Sequence, residues 1–346
     1  MQTKLRLKNG SWKRVLGLSA VMGVGILQAQ AAQAASLTGA GATFPYPLYS
    51  KWFDAYNRGA GVQINYQSIG SGGGINALKA GTVDFGASDA ALSNADMKSM
   101  PSNVVHIPTV AGAVAVVYNG MPRGLRLSGD VLADIFLGQI TRWSDPRIRA
   151  LNPGMTLSGK YITVAHRSDG SGTTNIFTSY LKSVSPLWAR QVGAGKSVSW
   201  PAGLGGKGND GVAGIVKQTG GSIGYVELAY ATQNGLAYAS VRNRAGAFVA
   251  PSVGGVVAAA QARSREVQRD VRSPIVNAPG ARSYPISGYT YILLYKNQRD
   301  KAKGKTLLKF LNWAIGPGQR FAKPLGYAPL PRSVVLINQS KLRTIR

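Results

Sequence analysis

The sequence predicts an α/β protein of two lobes, each a mixed sheet flanked by helices. Short β-branched runs alternate along the chain with stretches of helical spacing. A strand, a glycine-rich turn and a helix start recur together at residues 62–79 and again at 161–181. With 346 residues, 45% of them hydrophobic and only 15% charged, the chain is long and apolar enough for two buried cores.

Residues 1–14 carry Lys4, Arg6, Lys8, Lys13 and Arg14 and no acid. Residues 15–27 are apolar, and Ala32-Gln33-Ala34 places small side chains at a cleavage site. This is the pattern of a secretory signal peptide covering residues 1–34, with maturation near Ala34 or Ala35. No later apolar run approaches the length of a bilayer span, so a soluble mature protein outside the cytoplasm is expected. The chain has no cysteine, which leaves no thiol for a lipid anchor or a disulfide framework.

The formal charge is +27, and +22 without the five basic residues of the leader. Only 13 residues are acidic, and two of these, Glu227 and Glu266, are glutamates. An anionic partner such as membrane or nucleic acid is one explanation. An acidic compartment is the other, because a fold that relies on few carboxylates loses little when they are neutralised. The second is favoured, and an unfolding midpoint that drops steeply between about pH 5 and pH 3 would remove it.

In chain order, residues 36–56 open with small residues. They turn at Thr43, in the position of a helix cap, into a helix whose Phe44, Leu48, Trp52 and Tyr56 recur every fourth place, with Pro45 in the first turn. Residues 62–66 form a strand, followed by a glycine loop (S-I-G-S-G-G-G, 68–74) and a helix through Lys79. Residues 82–89 (T-V-D-F-G-A-S-D) form a strand that delivers Ser88 and Asp89 to a crevice. Asp89 taken alone reads equally as a helix cap. Beside a bound oxyanion it implies more, since two like charges repel unless a proton lies between them. Asp89 would accept that proton's hydrogen bond, which favours hydrogen phosphate or dihydrogen phosphate over sulfate.

Residues 104–119 are strand-rich, broken by Pro108-Thr109 into two runs, and suit a crossing between lobes. A helix is expected at 130–137, with Trp143 in a polar loop after it. The central stretch is 166–177, H-R-S-D-G-S-G-T-T-N-I-F, between a strand at 161–165 and a helix at 174–181. Two glycines let the backbone approach a ligand, so that NH groups and the hydroxyls of Ser171 and Thr173 converge on one point. The helix start adds unpaired NH groups and the positive end of its dipole. Arg167 adds a permanent cation. Alone, D-G-S-G is also an ordinary strand-to-helix turn, and what distinguishes it is the repetition of the design elsewhere. Beyond it, Asn209-Asp210-Gly211 caps a helix to Gln218. Residues 253–272 read as one helix with Arg265, Arg269 and Arg272 on a solvated face. Residues 286–295 form a buried strand returning to the first lobe, and helices at 306–315 and 333–342 close the chain.

Several chemistries are excluded. Gly70-x-Gly72 and Gly170-x-Gly172 both lack the third glycine of a dinucleotide fingerprint, failing at Ile75 and Asn175, and Gly205-Gly206-Lys207 has Pro201 where a Walker loop needs glycine. Two histidines, no cysteine and scattered acids give no metal site. Gly220-Gly221-Ser222-Ile223-Gly224 matches a nucleophile elbow, but no histidine follows it to act as base. Paired basic and aromatic residues of an RNA-binding sheet are not evident.

Five segments, T-G-A-G-A-T-F-P (38–45), Y-Q-S-I-G-S-G-G-G (66–74), V-D-F-G-A-S-D (83–89), R-S-D-G-S-G-T (167–173) and G-L-G-G-K-G-N-D-G (203–211), together resemble the periplasmic phosphate-binding proteins of the phosphate ABC importer. The resemblance covers nearly the whole mature chain. It implies a type II periplasmic binding protein with a first lobe of residues 35–108 and 285–346, a second lobe of residues 109–284, and hinge strands between them. It further implies a phosphate ligand, delivery to an inner-membrane permease, a monomer, no cofactor and no nucleic acid. Carried over by motif, Thr43 and Phe44 bind through hydroxyl and backbone NH, Ser71 through both, and Asp89 is the acceptor. Arg167 is the cation, tempered by Asp169, and Ser171, Gly172 and Thr173 donate. The high basic charge and the segment 242–282 depart from the family pattern. A phosphatase on the same scaffold and a secreted cationic adhesive protein are the competing classes.

Overall fold

The computed structural model describes residues 36–346, so the leader and its cleavage site lie outside the described residues. The chain runs β1 (Ser36–Gly41), α1 (Tyr46–Ala60), β2 (Gln63–Ser68), α2 (Gly70–Ala80), β3 (Phe85–Ser88) and α3 (Asn94–Lys98) into a long strand, β4 (Val104–Tyr118). The middle section is β5 (Arg126–Leu127), α4 (Gly129–Phe136), α5 (Pro146–Leu151), β6 (Thr163–Arg167), α6 (Gly172–Val184), α7 (Pro186–Gln191), β7 (Leu204–Gly206), α8 (Gly208–Gln218), β8 (Ser222–Glu227) and α9 (Leu228–Gln233). It ends with β9 (Ala237–Tyr238), β10 (Ser240–Arg242), β11 (Phe248–Val249), α10 (Val253–Ala262), α11 (Ser264–Arg269), β12 (Ser287–Tyr295), α12 (Lys301–Ile315) and α13 (Arg332–Arg343).

Eight strands follow the order β2-β1-β3-β12-β4-β8-β6-β7, with β9 also paired to β4, and β11-β10-β5 form a small separate sheet. The long path is two sheets in series. β4 pairs with β12 from Val104 to Ala113, then with β8 from Val114 to Tyr118. The two lobes therefore share one continuous strand, and every residue of β12 beside it is buried. The expected break at Pro108-Thr109 is absent because a bulge absorbs it: Thr290 faces Val110 and Tyr291 faces Pro108, leaving Thr109 unpaired in the ladder. Thr109 uses its freedom locally, bonding Tyr49 Oη at 2.7 Å and donating to the Thr290 carbonyl at 3.2 Å.

Two aromatic cores lie on either side of the cleft. Tyr49, Phe53, Tyr66, Phe85 and Phe310 interlock in the first lobe, and Phe136, Phe177, Trp200 and Tyr225 in the second. Trp143, expected in a polar loop, is fully buried, with its indole NH donating to the Gly221 carbonyl at 2.9 Å.

Element edges differ from the sequence reading where backbone chemistry competes with spacing. The first helix begins at Tyr46 with Pro45 in the cap position, so Thr43 is not its cap. The glycine run at 70–74 is not a loop but the first turns of α2. The α8 helix starts at Gly208, ahead of the expected Asn209 cap. Residues 253–272 form two helices broken at Arg263. Arg272 lies beyond both, and its guanidinium is held by Asp270 and by Asn94 rather than simply solvated.

Candidate functional site

The sequence-predicted residues come from four strand ends that face each other across the cleft. Thr43 and Phe44 follow β1, Ser71 opens α2, Asp89 follows β3, and Arg167 through Thr173 join β6 to α6. Thr43, Phe44, Ser71, Asp89, Arg167, Ser171 and Thr173 are all buried, with 5% exposure at most. Polar groups at such burial need partners, and these partners define the geometry.

Ser71 Oγ accepts hydrogen bonds from the NH of Asp89 at 3.2 Å and of Gly172 at 3.0 Å. Ser71 and Asp89 stand in the first lobe and Gly172 in the second, so the halves meet here. Gly72 NH reinforces the contact by donating to the Gly170 carbonyl at 2.7 Å. The Gly172 NH, expected to donate to the anion, donates in this structure to Ser71 Oγ.

Arg167 is 3% exposed and lies under the loop. Its Nε and Nη2 donate to Asp169 at 2.7 and 2.5 Å in a two-pronged pair, and Nη1 makes only a 3.4 Å contact with Thr173 Oγ1. Nη1 is thus the face of the guanidinium left for a ligand. Burial works against ionisation of Asp169, but the hydrogen bonds and charge of Arg167 and the Gly208 NH at 3.0 Å hold its carboxyl below the usual range. The Asp169 carboxylate also lies against Gly70, whose φ of +84° and close approach leave no room for a side chain.

Asp89 has the reverse balance. Burial pushes its carboxyl up to about 7, more than the hydrogen bond from Thr290 and the charge of Arg167 pull it down. Thr290 Oγ1 donates to Oδ1 at 2.7 Å, which leaves Oδ2 without a hydrogen bond among the described residues. The sign of the pH effect follows. Without ligand the folded chain holds the Asp89 proton up to about pH 7, while the unfolded chain releases it near 3.8. This contribution to stability is complete below 3.8 and disappears as pH rises through 7. Chemical unfolding of ligand-free protein at pH 5 and pH 8 should show Asp89→Asn gaining on the unaltered chain by about 2–3 kcal/mol at the higher pH. Parallel curves would rule this out.

Three groups that sequence reasoning missed complete the cleft. Asn209, fully buried near the start of α8, donates through Nδ2 to Thr43 Oγ1 at 2.7 Å and to Thr173 Oγ1 at 3.2 Å. Thr290 orients Asp89 from β12. Glu227 caps α9 through Oε2, donated to by the Ala229 NH at 2.7 Å, and its Oε1 has no partner among the described residues. Burial lifts the Glu227 carboxyl well above its ordinary range. The G-N-D-G segment marked the loop that carries Asn209, but nothing local marked Thr290 or Glu227.

One contact is tight enough to test alone. A Cβ on Gly172 would stand 2.5 Å from Asp89 Cβ and 2.6 Å from Asp89 Oδ2 and Ser71 Oγ. These neighbours belong to the other lobe, so Gly172→Ala should block closure and cut anion affinity at least about hundredfold, while ligand-free stability changes by only about 1 kcal/mol. Calorimetric titration alongside unfolding measures both.

Chemically the site is a buried cup of hydroxyl and NH donors with one guanidinium, its partner carboxylate Asp169 and the separate carboxyl of Asp89. Among the described residues no group of three His, Asp or Glu side chains could hold a metal ion, and no helix is long and apolar enough to cross a membrane. The PBP superfamily domain matches residues 28–317. The phosphate-binding protein PstS of Haemophilus influenzae is 47% identical over 316 residues, which covers 90% of this chain and 94% of that one. The chain belongs to the PstS family of phosphate-binding proteins. Its relatives in the family include PstS of Xylella fastidiosa, 46% identical over 89% of this chain and 85% of that one, and PstS of Methanocaldococcus jannaschii, 39% identical over 88% and 85%. The PstS fold recurs in solved structures: a high-affinity periplasmic phosphate-binding protein bound with phosphate superposes at TM-score 0.70, with 23% identity over 88% of this chain and 93% of that one. A phosphate-binding protein from Stenotrophomonas maltophilia gives 0.69, with 21% identity over 89% and 94%. These structures share the two-lobed architecture expected from the sequence.

Proposed function

We propose that this chain captures inorganic phosphate in the periplasm and delivers it to an ABC permease. The observation that carries this reading is the burial, in one cleft, of a guanidinium, convergent hydroxyl and NH donors, and a carboxylate whose Oδ2 is open to a ligand. Donors and Arg167 Nη1 suit the oxygens of a tetrahedral anion, and Asp89 suits its proton. With Asp89 drawn toward the protonated state by burial, one proton is shared between its Oδ2 and a phosphate oxygen. Sulfate brings no proton, so once Asp89 is ionised, above about pH 7, two bare oxyanions would face each other.

In this reading Thr43, Ser71, Ser171 and Thr173 donate through hydroxyls, and Phe44, Ser71 and Thr173 through backbone NH groups. Gly172 acts through Ser71, and Asp169 holds the Arg167 fork in plane. The lobes are residues 35–108 with 285–346, and residues 109–284, and they close over the ligand. The leader is removed near Ala34 or Ala35, and the mature protein works as a monomer without turnover. Equilibrium titration with phosphate, arsenate and sulfate at pH 5 and pH 8 tests the proposal. Saturable binding of the first two is expected, with rejection of sulfate strongest at pH 8; a protein that hydrolyses a chromogenic phosphate ester, or that binds only polyanions and lets go in moderate salt, would overturn it.

A further inference from the structure

We infer that Asn209 is a positioning residue that makes the hydroxyls of Thr43 and Thr173 pure hydrogen-bond donors toward the bound anion when the lobes close. The inference rests on the phosphate reading above and adds to it the reason why three of the cup's hydroxyls cannot compete with Asp89 as acceptor.

The orientation of the Asn209 amide is fixed by its surroundings. Its Oδ1 accepts the backbone NH of Glu227 at 2.9 Å, so its NH2 must face the other way, toward the two threonines. One hydrogen goes to Thr43 Oγ1 at 2.7 Å and the other to Thr173 Oγ1 at 3.2 Å. A hydroxyl has two lone pairs and one hydrogen. Thr43 Oγ1 also accepts the backbone NH of Asn209 at 3.2 Å, so both of its lone pairs are engaged. Thr173 Oγ1 receives Arg167 Nη1 at 3.4 Å and Asn209, and is engaged likewise. Ser71 Oγ reaches the same condition by another route, through the NH groups of Asp89 and Gly172. Each of these three hydroxyls has only its hydrogen left to offer.

Two consequences follow. A hydroxyl free to rotate would direct a lone pair at the anion part of the time, and these cannot. None of the three can accept the hydrogen of a protonated ligand oxygen, which leaves Asp89 Oδ2 as its charged partner beside the one open lone pair of Ser171 Oγ, whose other lone pair takes the Thr174 NH at 3.0 Å. Thr43 belongs to the first lobe and Asn209 to α8 of the second. The Thr43 hydroxyl is therefore set only when the lobes meet, and the open cleft is a poorer anion receptor than the closed one.

The experiment is a mutant cycle read by calorimetric phosphate titration. Asn209→Leu removes the donors at similar size, and Thr43→Val with Thr173→Val removes the hydroxyls on which they act. Asn209→Leu alone should weaken phosphate binding about tenfold to hundredfold. In the double-valine background it should cost less than about threefold more, because nothing remains to be oriented. A purely structural asparagine would give the same loss in both backgrounds, and that result, or no loss in the first, overturns the inference. Asn209→Ser, tolerated near a helix start, repeats the cycle should the leucine variant not fold. Absence of phosphate binding by the unaltered chain in the same titration would remove the phosphate reading itself, whereas binding with additive losses removes only the role given to Asn209.

Discussion

Replacing Asp89 by asparagine should collapse discrimination between phosphate and sulfate by at least about hundredfold, chiefly by admitting sulfate. The geometry says why the change is directional. Thr290 Oγ1 donates to Asp89 Oδ1 at 2.7 Å, so an asparagine here keeps its carbonyl oxygen toward Thr290 and puts its NH2 where Oδ2 stood. An acceptor becomes a donor at the point where the ligand's proton was received. Sulfate then meets a hydrogen instead of a buried charge, while phosphate can still turn a bare oxygen to the amide and loses about tenfold or less. Removing the repulsion from a buried charge is worth several kcal/mol, more than an ordinary neutral hydrogen bond supplies. Competition titration of phosphate against sulfate at pH 8, where Asp89 carries its charge, reads the ratio directly. Persistent rejection of sulfate would mean that selection lies elsewhere than Asp89.

The second large effect is expected at Arg167. Its guanidinium is 3% exposed and pairs with Asp169 through two hydrogen bonds, so Arg167→Met removes the cation and strands a carboxylate. Phosphate affinity should fall at least about thousandfold, and stability by about 3 kcal/mol, as when one partner of a buried pair is deleted. The double variant Arg167→Met with Asp169→Leu separates the two losses. It should recover most of the stability, because no charge is left unpaired, and none of the affinity. Recovery of binding in the double variant would show that Arg167 serves only to neutralise Asp169.

Much of this site was legible in the sequence because its parts are contiguous. In R-S-D-G-S-G-T the cation, its partner, the small residues and the hydroxyls lie within seven positions, and the strand-to-helix turn that aims them is written in the same letters. Thr43, Ser71 and Asp89 were legible for the same reason, each at the end of a β-branched or glycine-rich strand. Asn209 and Thr290 were not, since their partners lie 166 and 201 residues away. A threonine inside an apolar strand looks like any β-former. Glu227 was invisible for a related reason: its chemistry comes from complete burial, which no neighbouring residue announces. The glycine run before Ile75 misled in the opposite sense. Poor helix formers were read as loop, yet close backbone approach to β1 and β3 makes glycine the residue that lets α2 sit there: a side chain on Gly74 would collide with Gly41 and the Ala87 carbonyl.

The strand shared by both lobes has a mechanical consequence. The ladder changes neighbours between Ala113 and Val114, where the Val114 NH also holds the carbonyl of Ile286 at 2.8 Å, so no residue there is free to act as a pin. Separation of the halves has to be taken up as torsion spread along a bonded ribbon, a few degrees in each of many backbone angles. Such a ribbon has the character of a leaf spring, in which bending is shared along the length and no single joint carries it.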